Sequence, residues 1–353
     1  MPRLQLGIIG LGYWAKNYIR VLGQREDTVI SAICDCDPAK LQFWQEHLTQ
    51  AKAYVELDRF PWQTLDGVII TTPASTHYVI ARQALNHRIP VLVEKPLTLN
   101  SQEAEILCDL ADKYEIPLLV GHTYLFAQPI QRLRQLVEDG ELGELKYIHS
   151  LRVNLGIVRH DCDVIWDLAP HDVAILLYVL QKEPCVATAI TAGRQSGSNA
   201  DFAVLNLEFP GGTSACIAVS WFWPEKIRKL TIIGTRGAVC YHDQGFDSPL
   251  ELYSWPEALQ DSAAICNPAL DKIRPAVLSS TNQEPLSMLV DHFLSCIRRQ
   301  SQPISNGYFG ARVVRILEKV SRFSDQRCSH HGKTWRHYDG QEKECNEAAT
   351  VSA

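Results

Sequence analysis

The chain has 353 residues, which allows about two domains that each bury a sizeable core. Apolar residues make up 46% of it and charged residues 21%, proportions that are typical of a soluble globular protein. The formal net charge is -6 and no block of lysines or arginines stands out, which argues against nucleic acids and anionic membranes as partners. No apolar run approaches the ~18 residues that a membrane helix needs.

The cysteines and the N-terminus indicate a reducing compartment. Eleven cysteines are scattered along the chain, and no two of them form a CxxC pair. The apolar stretch after Met1-Pro2-Arg3 is short and interrupted by glycines, so it fits a buried strand better than a signal peptide. We therefore expect free thiols and a cytoplasmic protein.

Strands and helices alternate over residues 1–122. Strands that are apolar throughout and are separated by helices predict a parallel sheet covered on both faces. The predicted strands are Leu4–Ile9, Val29–Cys34, Gly67–Thr71, Val91–Val93 and Pro117–Val120, and the predicted helices are Tyr13–Leu22, Pro38–Leu48, Ser75–Ala84 and Ser101–Lys113.

Residues 123–323 predict a second α/β domain with a large, mostly antiparallel sheet. Gly211 and Gly212 separate two of its strands, as they would in a hairpin. Helices are expected again over 284–323, and the polar segment 324–353 is expected to be a disordered tail. The predicted strands are Lys146–Asn154, Ala187–Ala192, Phe202–Phe209, Thr213–Trp221, Ile227–Gly234 and Ala238–His242, and two helices are predicted at Phe126–Glu138 and Ile165–Leu180.

The first strand ends in a turn that fits the dinucleotide-binding pattern G-x-G-x-x-G/A. Gly10 would make the tight turn, Gly12 would let a diphosphate approach the backbone, and Ala15 would let the next helix pack closely. The N-terminus of that helix offers unpaired N–H groups to phosphate. We expect this turn, including Tyr13 and Trp14, to bind the cofactor. A glycine turn that binds no nucleotide is the alternative.

Asp35 at the end of the second strand bears on the choice of nucleotide. A carboxylate at this place accepts hydrogen bonds from the hydroxyls of the adenosine ribose and repels a 2′-phosphate. The residues that follow it, Cys36, Asp37 and Pro38, include no arginine. NAD is therefore the predicted cofactor, and NADP is less favoured.

Two further loops follow apolar strands, at the edge where ligands bind to parallel sheets. Thr72, Pro73 and His77 come after one strand, and Glu94 and Lys95 come after the next. These side chains could meet at the carboxyl end of the sheet. Lys95 is a candidate for chemistry, and a solvated charge is the alternative.

The second domain adds a carboxylate and an imidazole four residues apart. On one helix Asp167 and His171 would share a face, whereas a helix that begins near Pro170 would put Asp167 in the preceding turn. Either way the two are close enough for the carboxylate to orient the imidazole, which keeps it able to take a proton near neutral pH. A surface pair without chemistry is the alternative. Arg152 and Asn154 point to the same side of a strand and could bind a substrate hydroxyl, carboxylate or phosphate, or could simply be polar residues of the sheet face. The histidines and cysteines of the tail fit no zinc-finger spacing, and no metal site is predicted.

Taken in order, these motifs resemble the Gfo/Idh/MocA family, the relatives of glucose–fructose oxidoreductase and inositol dehydrogenase. The resemblance extends from residue 4 to about residue 323. It implies an N-terminal Rossmann domain over 1–122 that holds a nicotinamide nucleotide, and a C-terminal domain over 123–323 whose open sheet forms a homo-dimer or homo-tetramer. The motifs are Gly10-Leu-Gly-Tyr-Trp, Thr72-Pro73 with His77, Glu94-Lys95-Pro96 and Asp167-x-x-x-His171-Asp.

The resemblance also implies residue roles. Lys95 would contact the substrate oxygen and the nicotinamide ribose, His171 would be the acid/base, and Asp167 would support His171. As a hydride leaves the substrate carbon, His171 would accept the hydroxyl proton and Lys95 would stabilise the developing oxyanion. Lys95 as the base is the alternative.

The expected activity is NAD-dependent hydride transfer at a secondary hydroxyl or keto carbon of a sugar, sugar nucleotide or inositol. Segments 120–126 and 220–228 resemble the branch of UDP-N-acetylglucosamine-uronate 3-dehydrogenases, although Gln128 stands where relatives often have Asn. Two other functions are compatible with this sequence. One is a non-catalytic regulator of the same fold that senses a dinucleotide, and the other is a glycosidase-type enzyme that uses tightly bound NAD.

Overall fold

The structure, a computed structural model, describes residues 2–156, 158–159, 161–193, 199–243, 250–256, 275–278 and 283–328, with only the backbone for 323–328. The predicted α/β class is confirmed, because the described chain forms one parallel sheet and one mostly antiparallel sheet, both packed with helices. Within these residues no helix is both long and apolar enough to cross a membrane.

Six parallel strands form the first sheet. They are β1 (Leu4–Ile9), β2 (Thr28–Cys34), β3 (Lys52–Tyr54), β4 (Gly67–Ile70), β5 (Val91–Val93) and β6 (Leu118–Val120), in the order β3-β2-β1-β4-β5-β6. The strand order reverses between β1 and β4, and ligands bind at such a reversal. The sequence analysis missed β3, which has only three residues at the edge of the sheet.

Four helices connect these strands, namely α1 (Ala15–Gly23), α2 (Pro38–His47), α3 (Ala74–Asn86) and α4 (Ser101–Tyr114). Both faces of the sheet are buried, since alternate residues of β1 and β4 belong to different apolar clusters. Ile8 and Ile69 pack with α1 on one side, while Ile9 and Ile70 pack with α3 and α4 on the other. This double burial explains why the strands are predominantly apolar and do not alternate between apolar and polar residues.

The second sheet has eight strands in the order β14-β13-β12-β11-β7-β10-β9-β8. All neighbours are antiparallel except β7 and β10, which are parallel. The hairpin predicted at Gly211 and Gly212 joins β9 to β10. The strands are β7 (Leu145–Leu155), β8 (Val186–Ala192), β9 (Phe202–Glu208), β10 (Ser214–Ser220), β11 (Phe222–Gly234), β12 (Gly237–His242), β13 (Leu250–Ser254) and β14 (Ala276–Leu278).

Helices cover one face of this sheet and then return to the first sheet. Helices α5 (Gln128–Glu138) and α6 (Val164–Leu180) belong to the second half, and α6 packs on β7, β9 and β10. Helix α7 (Pro285–Ile297) packs on α1, and α8 (Gly307–Cys328) packs on α4 as well as on α6. The tail predicted to begin at residue 324 was wrong at its start, because α8 continues to Cys328, and residues 329–353 lie outside the described residues.

Candidate active site

The turn between β1 and α1 has the geometry that its glycines predict. Gly10 has a φ of +88°, and a Cβ there would lie 2.6 Å from Cγ2 of Thr72, so glycine is required. A Cβ at Gly12 would meet no atom within 4 Å, so the backbone at Gly12 faces open space. Ala15 is fully buried and begins α1. These features leave room for a diphosphate at the start of the helix.

Asp35 is buried beside this turn and is held by the backbone. Its carboxylate accepts hydrogen bonds from the N–H of Leu11 at 2.6 Å and from the N–H of Asp37 at 2.9 Å. Nζ of Lys40 lies 3.7 Å from Oδ1 of Asp35, a nearby cation that the sequence analysis passed over. The carboxylate is thus fixed at the wall of the cleft, where a ribose hydroxyl could donate to it.

A cleft of about 900 Å³ runs from the glycine turn past the ends of β4 and β5 to α6. Tyr13 is 68% exposed at its rim, with Nζ of Lys16 at 4.2 Å from the centre of its ring. All the residues predicted to bind the cofactor line this cleft except Ala15, which is buried behind the turn. They are Gly10, Gly12, Tyr13, Trp14, Asp35, Thr72, Pro73, His77, Glu94 and Lys95.

His77 joins two loops of the cleft. One ring nitrogen lies 2.9 Å from the carbonyl oxygen of Thr72, and the other lies 2.8 Å from that of Pro96. Because both nitrogens face backbone carbonyls and the side chain is 1% exposed, His77 positions the loops that carry Thr72 and Lys95. Its burial lowers the pKa of the imidazole.

Glu94 is buried under the cleft and supports the start of the next loop. The hydroxyl of Tyr18 donates to Oε1 of Glu94 at 2.7 Å, and the N–H of Lys95 donates to Oε2 at 3.2 Å. A Cβ at Gly121 would lie 3.0 Å from Oε1, so the glycine there makes room for the carboxylate. Burial raises the pKa of Glu94.

Lys95 is almost fully buried, and its ammonium is fixed by α6. Nζ donates to the carbonyl oxygen of Asp167 at 2.7 Å and lies 3.7 Å from Oδ1 of the same residue. Burial lowers the pKa of Lys95, while the charges of Asp167 and Glu94 oppose that shift. The solvated charge considered for Lys95 is excluded, because its side chain is 8% exposed.

Asp167 does not form the predicted hydrogen bond with His171. Its Oδ2 accepts from Nε1 of Trp221 at 2.9 Å, and its Oδ1 accepts from Nε of Arg159 at 3.3 Å beside Lys95. The two residues share one helix, as their spacing predicts. The Asp167 carboxylate points away from His171 because it binds the buried ammonium of Lys95 and the indole N–H of Trp221. An interaction with the charged ammonium is stronger than one with a neutral imidazole.

His171 is half-buried in α6 and lies among cations. Nδ1 is buried and has no hydrogen-bond partner within the described part of the chain. Burial lowers the pKa of the imidazole well below its usual range, and the charges of Lys95, Arg152 and Arg228 lower it further. The imidazole is therefore in its neutral form near pH 7.

Arg152, a candidate substrate ligand in the sequence analysis, is buried and pairs with Asp172. Nε and Nη2 of Arg152 donate to the Asp172 carboxylate at 2.6 and 3.2 Å, and Oγ of Ser150 also donates to that carboxylate at 2.8 Å. Asn154 is half-buried farther along β7, on the same side of the strand as predicted. Ser150 and Arg152 are two residues apart on β7, so they lie on the same face of the sheet. That spacing could have predicted that both bind one partner, Asp172.

Three residues near the site were missed by the sequence analysis. Trp221 and Arg159 bind Asp167, and Tyr124 packs against His171 with ring centres 5.2 Å apart. Tyr124 follows β6 and Trp221 follows β10, and tertiary packing brings both to α6. Both lie in the segments 120–126 and 220–228, whose resemblance to one branch of the family was noted without a role for either residue.

Comparison with known proteins agrees with this geometry. Residues 4–122 match the GFO_IDH_MocA oxidoreductase family with an NAD-binding Rossmann fold, and residues 130–240 match the GFO/IDH/MocA C-terminal domain. The chain belongs to this family. The resemblance seen in the motifs is confirmed, and the family is one of oxidoreductases that bind NAD through the Rossmann domain.

Among similar proteins is the UDP-N-acetylglucosamine 3-dehydrogenase of Acidithiobacillus ferrooxidans. It is 28% identical over 258 residues, which cover 72% of this chain and 78% of the relative. An inositol 2-dehydrogenase of Corynebacterium glutamicum is 32% identical over 154 residues, 43% of this chain and 46% of the relative. Both relatives are dehydrogenases that act on hydroxyl-bearing rings.

Solved structures share the whole fold. GnnA of A. ferrooxidans, the UDP-N-acetylglucosamine 3-dehydrogenase, superposes with a TM-score of 0.77 at 23% identity and covers 92% of this chain and 100% of its own. A putative oxidoreductase of Magnetospirillum magnetotacticum MS-1 superposes with a TM-score of 0.75 at 26% identity. The match covers 90% of this chain and 99% of the Magnetospirillum chain. Both domains are therefore present in the family's arrangement.

Proposed function

We propose that this family member is an NAD-dependent dehydrogenase that acts on a secondary hydroxyl or keto carbon of a sugar, sugar nucleotide or inositol. The observation that carries the proposal is the position of Lys95. Its buried ammonium is fixed by Asp167 at one end of the cleft whose other end is the glycine turn. A cation at this place would stabilise the negative charge that develops on the reacting oxygen during hydride transfer.

The residues of the cleft fit NAD. The turn at Gly10 and Gly12 and the N-terminus of α1 would hold the diphosphate, and Asp35 would accept from the adenosine ribose. Thr72 and Pro73 would line the path toward the nicotinamide, and Tyr13, Trp14 and Glu94 would complete the walls. When bound, the nicotinamide supplies the hydride acceptor or donor.

Two side chains of the protein would accept the substrate proton and stabilise the negative charge on the substrate oxygen. His171 is neutral and would take the hydroxyl proton of the substrate, while Lys95 would stabilise the developing oxyanion. The lowered pKa of Lys95 also supports its alternative role as the base. Asp167 would then act on Lys95, because it holds that ammonium.

The substrate class follows from the relatives. The A. ferrooxidans relative is named for a sugar nucleotide and the C. glutamicum relative for inositol, so both classes belong in the trial set. Arg159 is half-exposed in the cleft and is a better candidate than Arg152 for contact with an acidic group. Asn154 would contribute a hydrogen bond to a hydroxyl.

Purified protein would be incubated with NAD and a panel of sugars, inositols, UDP-sugars and UDP-sugar uronates, and NADH would be followed by absorbance. We expect one class to reduce NAD. His171→Ala should lower turnover by about 10²- to 10⁴-fold and leave NAD affinity unchanged, because His171 moves a proton and does not hold the nucleotide. His47→Ala, at an exposed site on α2, is the matched control.

The same panel addresses two other activities. A similar protein of Mediterraneibacter gnavus, 23% identical over 258 residues, is named a 2,7-anhydro-N-acetylneuraminate hydratase, so product analysis should accompany absorbance. Substrate conversion without net NADH would show that NAD acts as an internal redox partner. NAD binding with no conversion of any compound would contradict catalysis and favour a dinucleotide sensor.

We also propose that the open face of the second sheet pairs two copies of the chain in the cytoplasm. Large apolar side chains are exposed there, with Tyr147 54% and Ile190 53% exposed. Exposed apolar patches of this kind mark interfaces. Light scattering should give at least twice the mass of one chain, and a monomer would contradict this part of the proposal. The described cysteines are free thiols, which supports a reducing compartment.

A further inference from the structure

Tyr124 lies in the short 3₁₀ turn Thr123–Phe126 that follows β6, and its ring contacts the imidazole of His171. The ring centres are 5.2 Å apart and the planes meet at 70°, an edge-to-face contact. Such contacts are favourable because the positive edge of one ring meets the negative face of the other. The ring of Tyr124 therefore packs against one side of the His171 imidazole.

The hydroxyl of Tyr124 is fixed by three charged groups of the second sheet. It accepts from Nη1 of Arg152 at 2.9 Å and from Nη1 of Arg228 at 3.2 Å, and it donates to Oδ2 of Asp243 at 2.6 Å. Arg152 also lies over the Tyr124 ring, 4.7 Å from its centre. The two arginines are cross-strand neighbours on β7 and β11, so the sheet holds the tyrosine rigidly.

Among the residues that the structure describes, no hydrogen bond fixes His171 in the same way. Nδ1 has no partner among the described residues, and Asp167, the expected partner, is engaged by Lys95, Arg159 and Trp221. An imidazole that must meet a substrate hydroxyl has to be held within a fraction of an ångström. The edge-to-face contact with Tyr124 is in a position to orient the ring.

We propose that Tyr124 is a positioning residue for His171, whose ring orients the imidazole while Arg152, Arg228 and Asp243 hold the Tyr124 hydroxyl. This inference rests on the proposed role of His171 as the acid/base. The same network places two guanidinium groups near the imidazole, which favours its neutral form. Among the described residues, the charges that act on His171 come from Lys95 after β5, Arg152 on β7, Arg228 on β11 and His122 after β6. Asp172 pairs with Arg152 and Asp243 pairs with Arg228, so these carboxylates offset part of that positive charge. The Asp167 carboxylate is directed at Lys95, Arg159 and Trp221.

Two substitutions separate the ring from the hydroxyl. Tyr124→Leu removes the edge-to-face contact, and we expect kcat to fall by about 100-fold with KM for NAD unchanged, as for a misplaced catalytic group. Tyr124→Phe keeps the ring and should retain kcat within about 10-fold of the wild type. Tyr178→Leu is the matched control, because Tyr178 lies on α6 and also stacks on an arginine, Arg134, at 4.7 Å.

A second readout needs no substrate. In protein labelled with ¹⁵N-histidine, the ring signals of His171, assigned with His171→Gln, report its tautomer and its titration. Tyr124→Leu should shift these signals, whereas Tyr124→Phe and Tyr178→Leu should not. Unchanged His171 signals in Tyr124→Leu would overturn the inference, as would equal losses of kcat in the leucine and phenylalanine variants. If no compound of the panel reacts, the proposed function fails, and the histidine signals still decide the role of Tyr124.

Discussion

At the scale of single residues, Asp167 has a different partner from the one that its spacing favours. A carboxylate four residues before a histidine on one helix can orient it, but here Oδ1 lies 3.7 Å from Nζ of Lys95 and the carbonyl oxygen accepts from the same ammonium at 2.7 Å. Without Asp167 the buried Lys95 cation would lose the larger of its two compensating charges, which costs more than an unpaired imidazole nitrogen. Asp167 is best understood as the residue that keeps Lys95 charged.

Asp167→Asn tests this role. The Asp167 charge raises the pKa of Lys95 against the effect of burial, so its removal should lower that pKa further. If the ammonium stabilises the oxyanion, the basic limb of the pH–rate profile should move to lower pH, and kcat at neutral pH should fall by about 10-fold or more. Steady-state kinetics across the pH range provide the measurement.

A shift of the acid limb alone would instead show that Asp167 acts on His171. Asp109→Asn, on the exposed side of α4, serves as the control for loss of one negative charge. It should leave both limbs in place because it is remote from the cleft.

At the scale of secondary-structure elements, local sequence predicted most of what positions the cofactor. Gly10, Gly12 and Asp35 directly follow strands β1 and β2. The local sequence pattern is therefore enough to predict where these residues lie. The pairing of Arg152 with Asp172 was not predicted, because Asp172 comes from a helix that packs on the strand of Arg152. Tyr124 and Trp221 were missed for the same reason, since tertiary packing alone brings them to α6.

Helix α8 lies late in the chain but packs against the first sheet. A Cβ at Gly310 would lie 2.6 Å from Cγ2 of Val120 and 3.2 Å from Cβ of Leu97, so the helix packs closely against the end of β6. The sequence boundary at residue 122 assigned this helix to the second domain. Its packing on α4 and β6 makes it a support of both sheets.

Gly310→Ala should therefore destabilise the protein by about 1–2 kcal/mol, because overpacking exceeds the gain in helix propensity. Gly23→Ala, at the end of α1 where a Cβ would meet no atom within 4 Å, should be neutral or slightly stabilising. Urea denaturation of the two variants gives the comparison. Equal stability of both would show that α8 can shift away from Val120 at little cost.

At the scale of the whole molecule, charge balance and buried histidines set how the protein responds to pH. A chain of net charge -6 that binds an anionic dinucleotide relies on local features, the start of α1 and the ammonium of Lys95, and not on its overall field. Three histidines, His77, His122 and His171, have pKa values lowered by burial. For His122 the pKa falls to about 3, and neither ring nitrogen has a hydrogen-bond partner among the described residues.

The fold should lose stability on mild acidification through these groups. His122 and His171 are neutral in the folded protein, whereas their imidazoles in the unfolded chain take up a proton below a pKa of about 6.5. Their contribution to stability is therefore complete above that pH and is lost as the pH falls. For His122 the free energy of unfolding at about pH 5 should be about 2 kcal/mol lower than above pH 6.5.

His122→Phe should therefore flatten the pH dependence of stability. The phenylalanine keeps an apolar ring against Phe309, whose ring centre lies 5.6 Å from that of His122, and it cannot take up a proton in the unfolded chain. Urea denaturation at about pH 7.5 and about pH 5 should show a difference in unfolding free energy about 2 kcal/mol smaller than in the wild type. His47→Phe, at an exposed site, should keep the wild-type difference, and an equal difference in both variants would show that His122 is not the group that titrates.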